Sequence, residues 1–184
     1  MRIVTERLLL VACAPELAEA LQANRRRAEE IVGAALPDGW PDEELSALLP
    51  IVGAWGLGFG VWIAVEQAQS VVAGSAGFQG GPQDGAVELG FGIHESYRNA
   101  GYATEAARAL VDWALQQAGV DEVTAQCERS NAASIRVLEK AGLQRNGERG
   151  PRLLWSARSE GRIAGTRRAA GVHYFFTRSP SLDR

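Results

Sequence analysis

The segment SYRNAGYATEA, residues 96–106, combines the residue types that bind an anion at the start of a helix. The first turn of a helix exposes unpaired backbone N–H groups and the positive end of the helix dipole. Small residues at that point, behind a strand, let a phosphate approach the backbone closely. Gly101 removes the side chain at the closest approach, and Ala100 and Ala103 add little bulk. Arg98 adds a positive charge, so the segment predicts a phosphate-binding site.

The elements on either side of this segment support that prediction. Residues 86–93, AVELGFGI, predict a strand, and apolar residues at helical spacing from 103 to 118 predict an amphipathic helix that ends at Gly119. Residues 122–128 predict the next strand. A short helix capped by Asn131 follows it.

The rest of the chain reads as strands with two helical regions near the amino terminus. One helix is predicted from Pro15 to beyond Ala28, and another after Asp42, which can cap it. An arginine-rich connection, 149–168, precedes the last strand. The remaining predicted strands cover residues 5–12, 61–67, 71–79, 143–147 and 172–178.

This order of elements predicts an α+β fold with a mixed, mostly antiparallel central sheet and helices on both faces. We expect one domain over residues 1–178 and a short carboxyl-terminal tail, 179–184. The chain has 184 residues, of which 46% are hydrophobic and 22% charged, as in an ordinary soluble domain.

Composition excludes several classes of function. The net charge of −3 gives no general attraction to nucleic acid or to an acidic membrane surface. Two cysteines and two histidines, all far apart, argue against a disulfide framework or a metal site and suit a cytoplasmic protein. We predict no bound metal. We predict no membrane span, because no apolar run approaches about 18 residues. We also predict no secretion signal, because the apolar run before Cys13 is too short.

Four motifs resemble the GNAT superfamily of N-acetyltransferases. Arg98-x-x-Gly101-x-Ala103 is similar to the superfamily's signature for the loop that holds the pyrophosphate of acetyl-CoA. TERL near the amino terminus, GYATEA, and the run from Asn131 to Gly142, NAASIRVLEKAG, resemble the RimJ/RimL-like branch, which acetylates the amino termini of ribosomal proteins. The element order follows the superfamily over about residues 3–178, and the specific motifs lie within 86–143.

The resemblance implies which residues bind the coenzyme. Residues 98–104 would hold the pyrophosphate, and the preceding strand would offer backbone groups to the pantetheine arm and the thioester carbonyl. Asn131 would bond the pantetheine arm, act as a helix cap, or do both. The implied coenzyme-binding residues are Phe91, Gly92, Ile93, Arg98, Asn99, Ala100, Gly101, Tyr102, Ala103, Thr104 and Asn131.

The implied reaction is attack of a neutral amine on a thioester, which needs a group to accept the amine's proton. Glu88 is the main candidate base, because it alternates with Gly90 and Gly92 and so shares their strand face. A solvent-facing strand glutamate would look the same. Glu128 and His94 are weaker alternatives.

The acid that protonates the departing thiolate is harder to assign. The superfamily pattern has a tyrosine seven residues after the asparagine, where this chain has Leu138. The RimJ/RimL-like branch also lacks that tyrosine and uses a serine at the position of Ser134, which could equally be an ordinary helix-start residue. Cys127 as an acyl carrier is a further alternative, although direct transfer needs no nucleophile.

We therefore expect an acetyl-CoA-dependent N-acetyltransferase that acts on a primary amine, preferably an α-amino group of a protein or peptide. A small-molecule acetyltransferase and a non-catalytic acetyl-CoA-binding module are the alternatives. No nucleic-acid or membrane partner is expected, and a homodimer is left open. The arginine-rich segment 149–168 would lie near the acceptor groove.

Overall fold

The computed structural model of the chain describes residues 1–56, 58–158 and 173–175. This part of the chain holds nine strands, five α-helices and two 3-10 helices, at Leu49–Ala54 and Glu95–Tyr97. The strands are β1 (Arg2–Val4), β2 (Leu8–Ala12), β3 (Val61–Glu66), β4 (Val71–Phe78), β5 (Ala86–Ile93), β6 (Glu122–Glu128), β7 (Gln144–Arg149), β8 (Arg152–Arg158) and β9 (His173–Phe175). The α-helices are α1 (Pro15–Ala23), α2 (Arg25–Val32), α3 (Glu43–Leu48), α4 (Tyr102–Ala114) and α5 (Ala132–Lys140).

The strands form one sheet in the order β7-β8-β6-β5-β4-β3-β2-β1-β9. Every neighbouring pair is antiparallel except β5 and β6, which pair in parallel. A parallel pair needs a crossover connection, and α4 supplies it between β5 and β6. The predicted mixed, mostly antiparallel sheet is confirmed.

Helices cover both faces of the sheet, also as predicted. Alternation along β3 places Trp62 and Ala64 in the core beneath α4 and α5. The residues between and after them, Ile63 and Val65, enter the core beneath α1, α2 and α3. Trp62 and Ile63 are fully buried, so the sheet separates two apolar cores.

The structure corrects three element boundaries near the amino terminus and in α4. The strand expected at 5–12 begins only at Leu8, because residues 5–7 form a turn in which the Thr5 N–H donates to the Leu8 carbonyl at 2.9 Å. The long first helix breaks at Asn24, whose side chain caps α2 by accepting the Arg27 N–H at 3.0 Å. Helix α4 ends at Ala114 rather than at Gly119, and turns connect the two positions.

The structure also corrects the arginine-rich connection. Its first part contains strand β8, which pairs with both β6 and β7. The rest of that connection, residues 159–168, lies outside the described residues, as does the tail, 179–184. Of the strand expected at 172–178, residues His173–Phe175 form β9, which pairs with β1.

Among the described residues, no helix has both the length and the apolar character needed to cross a membrane. In the same part of the chain, no three histidine, cysteine or acidic side chains gather as metal ligands would.

Candidate active site

Strands β5 and β6 separate beyond their first three residues. Their parallel register covers Ala86 with Glu122, Val87 with Val123, and Glu88 with Thr124. Beyond Glu88, β5 stays paired with β4 as far as Ile93. Strand β6 stays paired with β8 over its whole length. The sheet therefore opens into a gap between the second half of β5 and the second half of β6.

Glu88 lies where this gap begins. It is half-buried, and the alternation of β5 puts it on the same face as Gly90 and Gly92, opposite the buried Val87 and Leu89. Its Oε1 accepts a hydrogen bond from Gln126 Nε2 on β6 at 2.9 Å. Gln126, which the sequence analysis did not select, thus fixes the carboxylate of the candidate base across the opening.

The end of β5 leads directly into the predicted phosphate segment. Phe91 and Ile93 are half-buried, and Gly92 is exposed. Arg98 turns back toward the strand, and its Nε donates to the Ile93 carbonyl at 3.1 Å. The Ile93 carbonyl, expected to serve pantetheine, is therefore already bonded to Arg98, whereas Arg98 keeps its two terminal nitrogens for another partner.

The start of α4 leaves its backbone donors free. Gly101 occupies the position before the first helical residue with a φ of +84°, and no side chain caps the helix there. Asn99 is also left-handed, with a φ of +63°. No backbone N–H of residues 99–104 donates a hydrogen bond to another described residue. Unpaired N–H groups at the positive end of a helix form an anion-binding site.

Two residues that sequence reasoning missed hold this segment from the opposite side. Arg7, in the turn between β1 and β2, forms an ion pair with Glu105 in the first turn of α4, with Nη2 and Oε2 2.7 Å apart. Arg7 Nη1 donates to the Ala100 carbonyl at 2.8 Å. Two signals in the sequence point to them. Glu105 is an acidic residue in the first turn of a helix, and Arg7 belongs to a charged pair within the apolar segment predicted as a strand.

A groove of about 400 Å³ continues from this segment along the outer side of α4. Arg7, Gly101 and Thr104 line one end, and Arg108 and Lys140 lie farther along. Arg108 Nη2 also donates to the Lys140 carbonyl at 2.6 Å, which ties the end of α5 to α4. The groove is lined by three cationic residues and three acidic ones, Glu6, Glu105 and Asp112, so its charge is balanced and the free N–H groups at its end remain the anion-binding feature.

Helix α5 begins at the same edge of the sheet, because β5 and β6 run in parallel and each leads into a helix. The Asn131 side chain accepts the Ser134 N–H at 3.0 Å, so Asn131 is a helix cap, as one of its two predicted roles required. Asn131 is exposed and Ser134 half-buried, in the first turn of α5. The two candidate catalytic residues, Glu88 and Ser134, thus come from different sides of the gap.

The alternative candidates have other partners. Glu128 accepts a hydrogen bond from Arg152 Nε at 3.3 Å and is exposed. His94 Nε2 lies 3.2 Å from the Asp38 carbonyl, and its Nδ1 is buried without a partner among the described residues. Cys127 is buried in the core beneath α4 and α5. These placements leave Glu88 as the carboxylate that faces the gap.

A parallel strand pair that separates, with a connecting helix whose first N–H groups are free, agrees with the fold of acyl-CoA N-acyltransferases. Comparison with known families agrees. The family model "Acetyltransferase (GNAT) domain" matches residues 7–144, so the chain belongs to the GNAT family of N-acetyltransferases.

Relatives give the same assignment. An uncharacterized N-acetyltransferase of Bacillus subtilis, YjdG, is 32% identical over 145 residues, which are 75% of this chain and 86% of the relative. The ribosomal-protein-S5-alanine acetyltransferase of Vibrio fischeri superimposes with a TM-score of 0.62 at 16% identity, over 88% of this chain and 98% of that one. RimL, a ribosomal L7/L12 alpha-N-protein acetyltransferase solved with coenzyme A, superimposes with a TM-score of 0.58 at 17% identity, over 84% of this chain and 96% of that one. The chain is an N-acetyltransferase, and these structures show its fold.

Proposed function

We propose that this N-acetyltransferase moves the acetyl group of acetyl-CoA to the α-amino group of a protein or peptide. The observation that carries the proposal is the set of free N–H groups in residues 99–104, directly beside the gap between β5 and β6. This arrangement offers an anion-binding end and an extended slot, which match the pyrophosphate and the pantetheine arm of the coenzyme.

Residues 99–104 would bind the pyrophosphate through their backbone N–H groups, and Arg98 would bind it through its terminal nitrogens. The pantetheine arm would lie in the gap, where Phe91 and Gly92 have no β6 partner. The side-chain NH₂ of Asn131 remains for a carbonyl of that arm, because the cap uses only the side-chain oxygen. The donors therefore suit coenzyme A without any change of fold.

Acetyl-CoA supplies a thioester, which a neutral amine can attack directly. The nitrogen–carbon bond forms, the carbon–sulfur bond breaks, and one proton must leave the amine while the thiolate gains one. Glu88, held by Gln126, would accept the proton from the amine, directly or through water. Backbone N–H groups of β5 would stabilise negative charge on the carbonyl oxygen. Ser134 would return a proton to sulfur.

An α-amino group suits this machinery better than a lysine does. Its pKa is about 7.7–8.0 against about 10.4 for lysine, so a far larger share is neutral near pH 7. The site offers one carboxylate as base, which has little capacity to deprotonate a lysine. RimL and the Vibrio fischeri enzyme, which share the fold, are named for the acetylation of ribosomal proteins, and this supports the same acceptor class.

A CoA-release assay at pH 7 with paired peptides tests the acceptor class. One peptide has a free amino terminus and no lysine. Its partner has the same sequence with a blocked amino terminus and one internal lysine. We expect the first to react faster by about two orders of magnitude, the ratio of neutral amine in the two. Free amino acids, polyamines and aminoglycosides complete the panel.

The other outcomes each contradict a stated part of the proposal. Acetylation of lysine alone would overturn the α-amino preference while leaving the coenzyme site in place. Turnover of small amines alone would favour a small-molecule enzyme. Binding of acetyl-CoA by calorimetry, with no CoA release from any amine, would identify a binding module.

The role of Glu88 has its own test. Glu88→Gln keeps the size of the side chain and its partner Gln126, but it cannot accept a proton. We expect kcat to fall by about a hundredfold, the usual contribution of a general base, with acetyl-CoA affinity unchanged and the acidic limb of the pH profile flattened. Glu139→Gln, an exposed glutamate on α5, is the control. An unchanged profile would transfer the role to Glu128 or to solvent.

A further inference from the structure

The first turn of α4 is attached to the turn between β1 and β2 by a dense set of hydrogen bonds. Glu105 Oε1 accepts from the Thr5 hydroxyl at 2.6 Å and from the Arg7 backbone N–H at 2.7 Å. Glu105 Oε2 accepts from Arg7 Nε at 2.8 Å. Burial raises the pKa of Glu105, but the hydrogen bonds from Thr5 and Arg7 and the Arg7 charge outweigh it, so the pKa lies below its ordinary value.

The same arginine reaches residues on both sides of Gly101. Its Nη1 donates to the Ala100 carbonyl at 2.8 Å, and its guanidinium lies 4.8 Å from the centre of the Tyr102 ring. A Cβ on Gly101 would come within 3.3 Å of Arg7 Nη2. A planar guanidinium with several fixed donors can hold a carboxylate and a carbonyl at once, which a lysine cannot do.

The bonded carbonyl lies between two left-handed residues, Asn99 and Gly101. Gly101 adopts this backbone without strain, but Asn99 needs surrounding contacts to hold it, and the bond to the Ala100 carbonyl is such a contact. In a trans peptide the N–H points opposite to the C=O. Because the Ala100 carbonyl faces Arg7, the Gly101 N–H points away from Arg7, and it is one of the donors without a protein partner.

We propose that Arg7, fixed by Glu105 and Thr5, is a positioning residue that orients the peptide groups of residues 99–101 for the coenzyme pyrophosphate. Arg7 acts through the Ala100 carbonyl and does not need to touch the coenzyme. The inference rests on the proposed function, since it assumes that these N–H groups bind acetyl-CoA.

The structure provides a test in which positioning and simple electrostatics predict opposite signs. Glu105 is a negative charge in the first turn of the anion-binding helix. If charge alone mattered, removing it would strengthen the binding of the anionic coenzyme. If Glu105 serves to hold Arg7 in place, removing its charge will weaken that binding.

The experiment measures the Kd of acetyl-CoA by calorimetry, together with KM and kcat, for Glu105→Gln, Arg7→Lys and Arg7→Ala in the full chain. Hydrogen bonds to charged groups change an equilibrium by about tenfold or more, so we expect a rise of that size in Kd and KM for Arg7→Ala. The Kd and KM of Glu105→Gln should also rise, and those of Arg7→Lys should stay close to those of Arg7→Ala. In all three variants, kcat at saturating acetyl-CoA should stay within about twofold of the native value.

Arg158→Ala is the matched control, because Arg158 makes a comparable two-point contact with Glu122, at 3.1 and 3.2 Å, away from residues 98–104. It should leave the Kd of acetyl-CoA unchanged. Circular dichroism identifies any variant that fails to fold. Thr5→Val, which removes one donor to Glu105, is then measured in place of that variant.

The outcomes separate the inference from the function beneath it. Tighter or unchanged binding by Glu105→Gln, with normal binding by the native chain, would overturn the positioning role alone. Native acetyl-CoA affinity in Arg7→Lys would mean that Arg7 acts through its charge on the coenzyme instead. Absence of acetyl-CoA binding by the native chain would refute the proposed function itself.

Discussion

Helices α4 and α5 begin at the same edge of the sheet, yet their first turns are completed in different ways. Helix α5 has a side-chain cap of its own, since Asn131 accepts the Ser134 N–H. Helix α4 has no side-chain cap, and Gly101 precedes it in a left-handed conformation. Its support comes instead from Arg7, which donates to the Glu105 carboxylate and to the Ala100 carbonyl and leaves the backbone N–H groups open.

This difference separates α4 from α2, α3 and α5; α1 also begins without a side-chain cap, but Pro15 at its first position has no N–H. Helices α2 and α3 resemble α5, because Asn24 caps the Arg27 N–H and Asp42 caps the Leu45 N–H. A cap satisfies a donor that would otherwise be unpaired, and a ligand can do the same. The start of α4 has no cap and is held by outside contacts, which supports the proposal that its donors are left for a ligand.

The strongest test of this comparison changes Gly101. Gly101→Val places a β-branched residue at a φ of +84° and directs a Cβ at Arg7, so both the backbone and its support are disturbed. We expect acetyl-CoA affinity to fall by about a hundredfold or more, since a misplacement of this kind has effects of that order. Calorimetry on the purified variant measures it.

Gly142→Val is its control, because Gly142 has a φ of +94° after α5 and no neighbour within 4 Å of a new Cβ. Both variants should lose stability to a similar extent, measured by thermal unfolding, since left-handed backbone strains any β-branched residue. Equal acetyl-CoA affinities in the two variants would show that the α4 start is not the coenzyme site.

A smaller effect is expected at Asn131, which has both a capping role and a proposed ligand role. Asn131→Ala and Asn24→Ala should each lower the free energy of unfolding by about 1 kcal/mol in a urea titration, because each removes one cap. Asn131→Asp keeps the capping oxygen but loses the NH₂ donor. We expect it to retain stability and bind acetyl-CoA more weakly, and undiminished affinity would leave Asn131 with the cap alone.

The smallest effect concerns pH and the support of α4. A carboxylate whose pKa is lowered on folding stabilises the native state above its unfolded pKa and loses this contribution as pH falls. The pKa of Glu105 is lowered in this way by its hydrogen bonds and by Arg7, against the effect of burial. The stability difference between the native chain and Glu105→Gln should therefore be full at neutral pH and shrink below about pH 4. A difference independent of pH would mean that Glu105 stabilises α4 without its charge.

Local patterns in the sequence predicted the parts of the site that local interactions determine. Strand β6 has the predicted bounds, and Asn131 caps α5 as its residue type indicated. The glycine at the start of α4 has the left-handed backbone for which no other residue type is as well suited. Each of these features depends on residues within a few positions of one another.

The features that sequence reasoning missed depend on distant contacts or on charges that obscured a pattern. Strand β8 alternates, with Leu153 and Trp155 buried, but its arginines suggested an irregular connection. Arg152 and Arg158 instead pair with Glu128 and Glu122 on the neighbouring strand. Nothing near Arg7 in the sequence indicates that its partner lies in α4, so only the fold could reveal that ion pair.

The contact between Thr5 and Glu105 spans 100 positions of the chain, and this separation affects how the protein is made. During synthesis the turn between β1 and β2 leaves the ribosome long before the helix that it will hold exists. An amino-terminal fragment that stops short of α4 cannot form this contact, and the cost of closing so long a loop has to be met by the sheet between them. Residues 99–101 thus acquire their support from Arg7 only when the first and middle thirds of the chain have come together, so their backbone geometry depends on completion of the fold between them.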